Sequence, residues 1–342
     1  MIIRYVAILL SVCAGLAQAS SLGVAGNYNV FTFGNFSGSS DTEGRIAVGG
    51  TATLNGFGVG SNVSSDPSLP YSLVVGGSLS FQNSTVNGGG IAAGGAATLT
   101  NVAVNGNVDA VGGLTTVNGQ VNGNIAYKGS YSPSNSGVSG TVNNSTAPIS
   151  GIVDFSGTQT ALLASSAAWS SLATNGTIAT PYSQLVLTGS NASLDIFNIT
   201  AALLAASTSG ITISAPSGAT VLVNVNGTSA SFPNTGFSVQ GTPDQDVLFN
   251  FFNATSLTGS GGFNASILAP QANFTFNSGQ INGNVVAYSM SGSGETHWQP
   301  FVGSLPAVVA TPEPGTILLM SAGFGLLLFG TIGRRISLRF GR

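Results

Sequence analysis

What this chain lacks says most about it. Charged residues make up only 5% of 342 positions. Seven are basic (Arg4, Arg45, Lys128, Arg334, Arg335, Arg339 and Arg342), and five of those lie near the two ends. Residues 20–311 therefore set two basic groups against nine acidic ones, a net charge of −7. A surface so poor in Lys and Arg cannot neutralise phosphates, which excludes nucleic acid as a partner. The single cysteine, Cys13, falls in an N-terminal apolar run. The domain after that run has no thiol, so neither disulfides nor thiolate metal sites can hold it together. There is one histidine, His297, and any histidine-dependent catalytic or metal site would have to include it.

Glycine, by contrast, occurs 49 times, and hydrophobic residues reach 43%, too many for a disordered chain. The glycines keep time. Ile46-Ala-Val48-Gly49-Gly50-Thr-Ala-Thr53-Leu54 is answered by Leu73-Val-Val75-Gly76-Gly77-Ser-Leu-Ser80-Phe81. Ile91-Ala-Ala93-Gly94-Gly95-Ala-Ala-Thr98-Leu99 and Ala110-Val111-Gly112-Gly113-Leu-Thr-Thr116-Val117 follow. A period near twenty residues written in Val, Ile, Thr, Gly and Asn predicts a solenoid, here a parallel β-helix. An antiparallel β-sandwich with Gly-rich turns is the alternative. In the β-helix, Val48, Val75, Ala93 and Val111 stack in one interior column, and Leu54, Phe81, Leu99 and Val117 in a second. Thr53, Ser80, Thr98 and Thr116 then form an outer ladder of hydroxyls. The Gly pairs and the triplets at Val86, Val104 and Val121 (Val-Asn-Gly) supply corners through positive φ.

Residues 1–19 read as a secretory signal peptide, with Arg4 as basic flank and Ala17-Gln-Ala19 as the small-residue cleavage site. A lipoprotein signal at Cys13 would need a small residue where Val12 stands. Residues 22–36 alternate apolar and polar and are expected to form a first strand and end cap. Residues 61–70 are expected as a loop inserted in the first coil, and residues 128–148 as a surface excursion. Leu162, Ser166, Trp169 and Ala173 follow helical spacing, which predicts a helix over 155–173 packed on the solenoid wall. A short helical turn is expected at 201–206. Residues 266–269 and 284–287 resume the coil, so residues 20–306 are expected to be one discontinuous domain. Beyond a linker at 307–315, an apolar run at 316–333 and a basic tail at 334–342 read as a short transmembrane helix with its C-terminus inside.

Pro312-Glu313-Pro314, the short span and Arg334-Arg335 resemble a PEP-CTERM sorting signal of Gram-negative bacteria. That resemblance implies an exosortase-like protease as partner and membrane attachment before processing. The body resembles the choice-of-anchor A domain, an adhesive module joined to different surface anchors. The carrying stretches are Tyr28-Asn-Val-Phe-Thr-Phe-Gly-Asn-Phe36, Ser40-Asp-Thr-Glu-Gly-Arg-Ile-Ala-Val-Gly-Gly50, Ile267-Leu-Ala-Pro270 and Gly294-Glu-Thr-His-Trp-Gln-Pro-Phe301. It implies a non-catalytic adhesive protein at the cell surface or in the extracellular matrix, holding exopolysaccharide or another surface, and carries no catalytic residue set.

Asp41, Glu43 and Arg45 are unusually close for so uncharged a chain, and with Glu295 and His297 they form a candidate polar site, read first as an ion-pair network. No catalytic, cofactor or metal set is expected. Two alternatives remain open at this point. One is an enzyme acting on polysaccharide through Asp244, Asp246, Glu295 and His297. The other is ice binding through the hydroxyl ladder.

Overall fold

A computed structural model describes residues 21–145 and 151–307. The signal-peptide residues Ala17 and Ala19, the sorting residues Pro312, Glu313, Pro314, Arg334 and Arg335, and the expected transmembrane run all lie outside these. Among the described residues no helix is long and apolar enough to cross a membrane.

The strands wind into a parallel β-solenoid with three faces, and the parallel register excludes the sandwich. The longest ladder stacks, in spatial order, Leu194–Thr200, Thr220–Asn226, Val247–Asn250, and the first parts of Ser266–Asn282 and Val285–Gly292. It continues through Val30–Thr32, Ile46–Val48, Tyr71–Val75, Gly90–Ala93, Val108–Ala110, Ile125–Tyr127 and Val142–Asn143. The described strands thus begin in the middle of the solenoid at Val30–Thr32, run to one end at Val142–Asn143, and resume at the other with Leu194–Thr200. Val30 pairs with Ile46 on one side and Val285 on the other. The N-terminal strand is therefore an interior rung, and the expected end cap is corrected. The expected surface excursion is corrected too, over its described residues 128–145. Tyr131–Ser134, Gly137–Val138 and Val142–Asn143 add a further polar coil on top of Leu114–Val117, Gln120–Val121 and Ile125–Tyr127.

The long return is made by helix α1 (Phe155–Ser170), whose N-cap Asp154 accepts a hydrogen bond from the Gly157 N–H at 2.9 Å. It lies along the outward side of the first face, which we call the covered face. Leu162 and Trp169 join Phe31, Ala47, Val74, Leu222, Leu248, Leu268 and Val286 in a second apolar cluster outside the coil. A ladder of Asn side chains ties the helix down. Asn250 Nδ2 donates to the Ser166 carbonyl, Asn224 Nδ2 to that of Trp169, and Asn198 Nδ2 to that of Leu172, at 2.8–2.9 Å. The amides also bond to one another. A short helix α2 (Ala201–Ala205), capped by Thr200, occupies the expected turn at 201–206.

The interior columns run as expected for three coils and then slip. Val48, Val75 and Ala93 are followed by Ala110, where Val111 was expected. Leu54, Phe81 and Leu99 are followed by Thr116, where Val117 was expected. Counting from the Gly pairs gives a step of 18, but the coil itself shortens to 17 here, as the Asn122-to-Asn105 bond shows. Most Gly pairs do not sit at positive φ either. A Cβ on Gly49 would lie 2.3 Å from the Phe33 carbonyl oxygen, and one on Gly76 2.4 Å from that of Gly49. Close stacking of corners, rather than left-handed backbone, requires these glycines. Left-handed backbone falls instead at Asn83, Asn101, Asn118 and Asn135, with φ of 47–56°, and at single glycines such as Gly88 of the first Val-Asn-Gly triplet, with φ of 66°.

Candidate functional site

The second face is open to solvent, and its register aligns one outward position through ten successive coils. In spatial order that column reads Ser231, Thr258, Thr275, Ser291, Ser37, Thr53, Ser80, Thr98, Thr115 and Ser132. Every member carries a hydroxyl, and all are exposed or half-exposed. At about 4.8 Å per rung the row is roughly 43 Å long. Within the described residues no intramolecular hydrogen bond engages any of these hydroxyls. Thr53, Ser80 and Thr98 stand in it as expected. Thr116 does not: it is 2% exposed, points into the coil, and its hydroxyl has no partner. Thr115 takes its place, because a one-residue slip turns a side chain to the opposite face.

Two residues earlier in each strand a second polar column runs beside the first. Ser229, Ser256, Asn273 and Ser289 are continued by Asn35, Thr51 and Ser78 before Ala96 ends it. Ala52, Leu79 and Ala97, each one residue before a member of the first column, are buried in the coil. Successive outward positions along a strand lie about 6.6 Å apart, so the face presents a regular grid of hydroxyls and amides. Only register could reveal it in full, since six of the ten rungs lie outside the repeat at residues 46–117.

The third face carries the charged candidates. Glu295–His297 stacks on Asp41–Thr42 with Thr296 opposite Thr42. This brings Asp41, Glu43, Glu295 and His297 together where the first and last strands of the described solenoid meet. His297 Nε2 lies 3.6 Å from Glu295 Oε2. The Asp41 carboxyl is raised above its ordinary value, first by burial and then by Glu295, with His297 opposing and Glu43 adding. Glu43 Oε2 accepts from the Trp298 N–H at 2.9 Å and from Asn62 Nδ2 at 3.3 Å. Arg45 does not join them. It is 5% exposed, donates from Nη2 to the Ser64 carbonyl, and leaves Nε without a partner. The expected ion-pair network is thus corrected to a seam of hydrogen bonds with one His–Glu contact. Among the described residues no group of three His, Cys, Asp or Glu is placed to hold a metal ion. Asp244 and Asp246 sit on a 3-10 turn three coils away, so they do not form one site with Glu295 and His297. Burial raises the Asp244 carboxyl.

Above the seam, the third face becomes an open trough of about 670 Å³ lined by uncharged groups, among them Asn83, Asn101, Asn118, Thr85, Ala103 and Gln120.

No curated protein matches the chain. Among solved structures, the crystal structure of an ice binding protein from an Antarctic bacterium of the Flavobacteriaceae is similar at 11% identity. The likeness covers 86% of this chain and 100% of that one, with a TM-score of 0.24. The model of the family described as "Putative Ice-binding-like adhesive domain" matches residues 21–111 and 96–298. These segments span most of the chain, and the protein belongs to that family of ice-binding-like adhesive domains.

Proposed function

We propose that this is an exported, non-catalytic adhesive protein whose solenoid holds an extended surface through its hydroxyl face. The observation that carries the reading is the uninterrupted row from Ser231 to Ser132, exposed and without internal partners. Ten hydroxyls at one spacing suit a repeating ligand, such as a polymer or a crystal, better than a small molecule. Export rests on the signal-like residues 1–19, and surface sorting on Pro312-Glu313-Pro314, the apolar run and Arg334-Arg335, in keeping with a choice-of-anchor A protein bearing a PEP-CTERM signal. An exosortase-like protease would then remove the tail. Replacing Glu313 by Ala should leave the full-length form in the membrane. Intact-mass measurement finding Arg342 on the wild-type surface protein would instead establish a permanent anchor.

The second polar column, from Ser229 to Ser78, favours one particular surface, ice, because a two-dimensional grid of hydroxyls can order water. Thermal hysteresis and ice shaping by the purified 20–311 domain decide between the two. Ice binding predicts hysteresis that is lost when Thr53 and Thr98 are both replaced by Lys, side chains that stand clear of the grid without touching the core. Wild-type protein with no hysteresis and no ice shaping at high concentration leaves the general adhesive reading.

A further inference from the structure

The trough on the third face is built differently from the hydroxyl grid. One wall is the left-handed corner row Asn83, Asn101, Asn118 and Asn135. The opposite wall is the outward column Thr85, Ala103, Gln120 and Gly137, in register from coil to coil. Between them the floor is formed at Ser84, Val102 and Gly119. The trough owes its depth to small residues: Ala103 has only a methyl, and Gly119 and Gly137 have no side chain.

The amides form part of a ladder along the axis. Asn83 Nδ2 donates to Asn55 Oδ1, Asn101 Nδ2 to Asn83 Oδ1, and Asn135 Nδ2 to Asn118 Oδ1, at 2.8–2.9 Å. Each amide has two N–H donors and two acceptor lone pairs. Asn83 uses one N–H and one lone pair in the ladder, which leaves one donor and one acceptor for a ligand. Such vacancies recur at about 4.8 Å along four rungs, a length of roughly 14 Å. Sugar hydroxyls are donors and acceptors at once, and the rings of an extended glycan repeat at a comparable interval. No charged side chain lines the trough. Lower in the same outward column stand Asp41 and Glu295, which repel an anionic chain. A peptide strand would need a free sheet edge, and the inner rungs here are paired on both sides.

We infer that this trough is a binding site for a neutral glycan chain lying parallel to the solenoid axis, across the coils from Asn83 to Gly137. It deepens the adhesive reading but uses a different face, so the two can fail separately.

Calorimetric titration of the full-length chain with cellohexaose, and with a hyaluronan hexasaccharide as the anionic probe, tests it. Cellohexaose should bind and the anionic chain should bind at least tenfold more weakly. Ala103→Tyr, which fills the trough from an outward position, should weaken cellohexaose at least tenfold while circular dichroism stays unchanged. Thr98→Lys on the hydroxyl face should leave that affinity within twofold. The inference is overturned by absent cellohexaose binding, by binding unchanged in Ala103→Tyr, or by equal or tighter binding of the anionic chain. If Thr98→Lys alone abolishes attachment to surfaces while cellohexaose affinity persists, the trough stands and the hydroxyl face is the adhesive one. Loss of folding in Ala103→Tyr is met by Gln120→Ala, which removes one wall amide and should weaken cellohexaose about threefold.

Discussion

A single threonine shows how much a coil depends on register. Thr116 continues the column of Leu54, Phe81 and Leu99, yet brings a hydroxyl into it that finds no partner. A buried, unsatisfied hydroxyl costs about 1–3 kcal/mol, whereas valine has nearly the same shape and nothing to desolvate. Thr116→Val should therefore stabilise the coils around it by about 1 kcal/mol. Solenoid stability is largely a sum over neighbouring rungs, so the gain is local. Amide hydrogen exchange over residues 97–134 should slow about fivefold, with little change over residues 194–232. Unchanged or faster exchange near Thr116 would mean that its hydroxyl contributes to stability. Glycine tells a related story at Gly49 and Gly76, where the limit is the carbonyl of the adjacent coil at 2.3–2.4 Å from any added Cβ.

At the scale of elements, the sequence is legible where local chemistry decides and silent where pairing does. Helix α1 could be read because Leu162, Ser166 and Trp169 keep helical spacing. The coils from Ile46 to Leu99 could be read because their repeats are nearly identical. The fourth coil could be read only to within one residue, since Gly112 and Gly113 keep an 18-residue beat over a 17-residue turn. The coil at Tyr131–Ser134 was hidden because it has lost its apolar columns: Tyr131 and Pro133 stand where Leu114 and Thr116 stand below. That loss suits its place at the end of a stack, where outer groups meet water. Asn198, Asn224 and Asn250 gave no local signal either. They are 26 residues apart and acquire meaning only when stacked beneath α1, where they bond to one another and to backbone carbonyls at and just beyond its C-terminal end. The hydroxyl face was half legible for the same reason. Thr53, Ser80 and Thr98 lie in the repeat, whereas Ser231, Thr258, Thr275 and Ser291 come from coils whose spacing varies.

At the scale of the whole molecule, the solenoid is continuous in space and broken in sequence, and the break is sealed by buried amides. Asn29, fully buried, donates to the carbonyls of Gly283 and His297 at 2.7 and 3.0 Å and accepts from Thr42 Oγ1 at 3.0 Å. Asn284, equally buried, donates to the Tyr28 carbonyl at 2.6 Å and accepts from the Phe301 N–H at 2.6 Å. Ser21 Oγ donates to the Gly303 carbonyl at 3.1 Å and accepts from the Leu305 N–H at 3.0 Å. Residues 21 and 305 thus meet at the seam, so a short Gly-Ser linker can join 306 to 21 without strain. Opening the chain between 145 and 151 then makes the order of coils in sequence match their order in space. The Asn29 and Asn284 hydrogen bonds survive this change, because every group they use is still present. The permuted 151–306–21–145 chain should therefore give the circular dichroism of the original and melt within about 4 °C of it, the shift expected for ~1 kcal/mol in a domain approaching this size. A permutant that is insoluble, or that lacks cooperative melting, would show that the native chain order is itself required. In that case the rung from Val30 to Thr32 would have to form first, as the template on which both halves then stack.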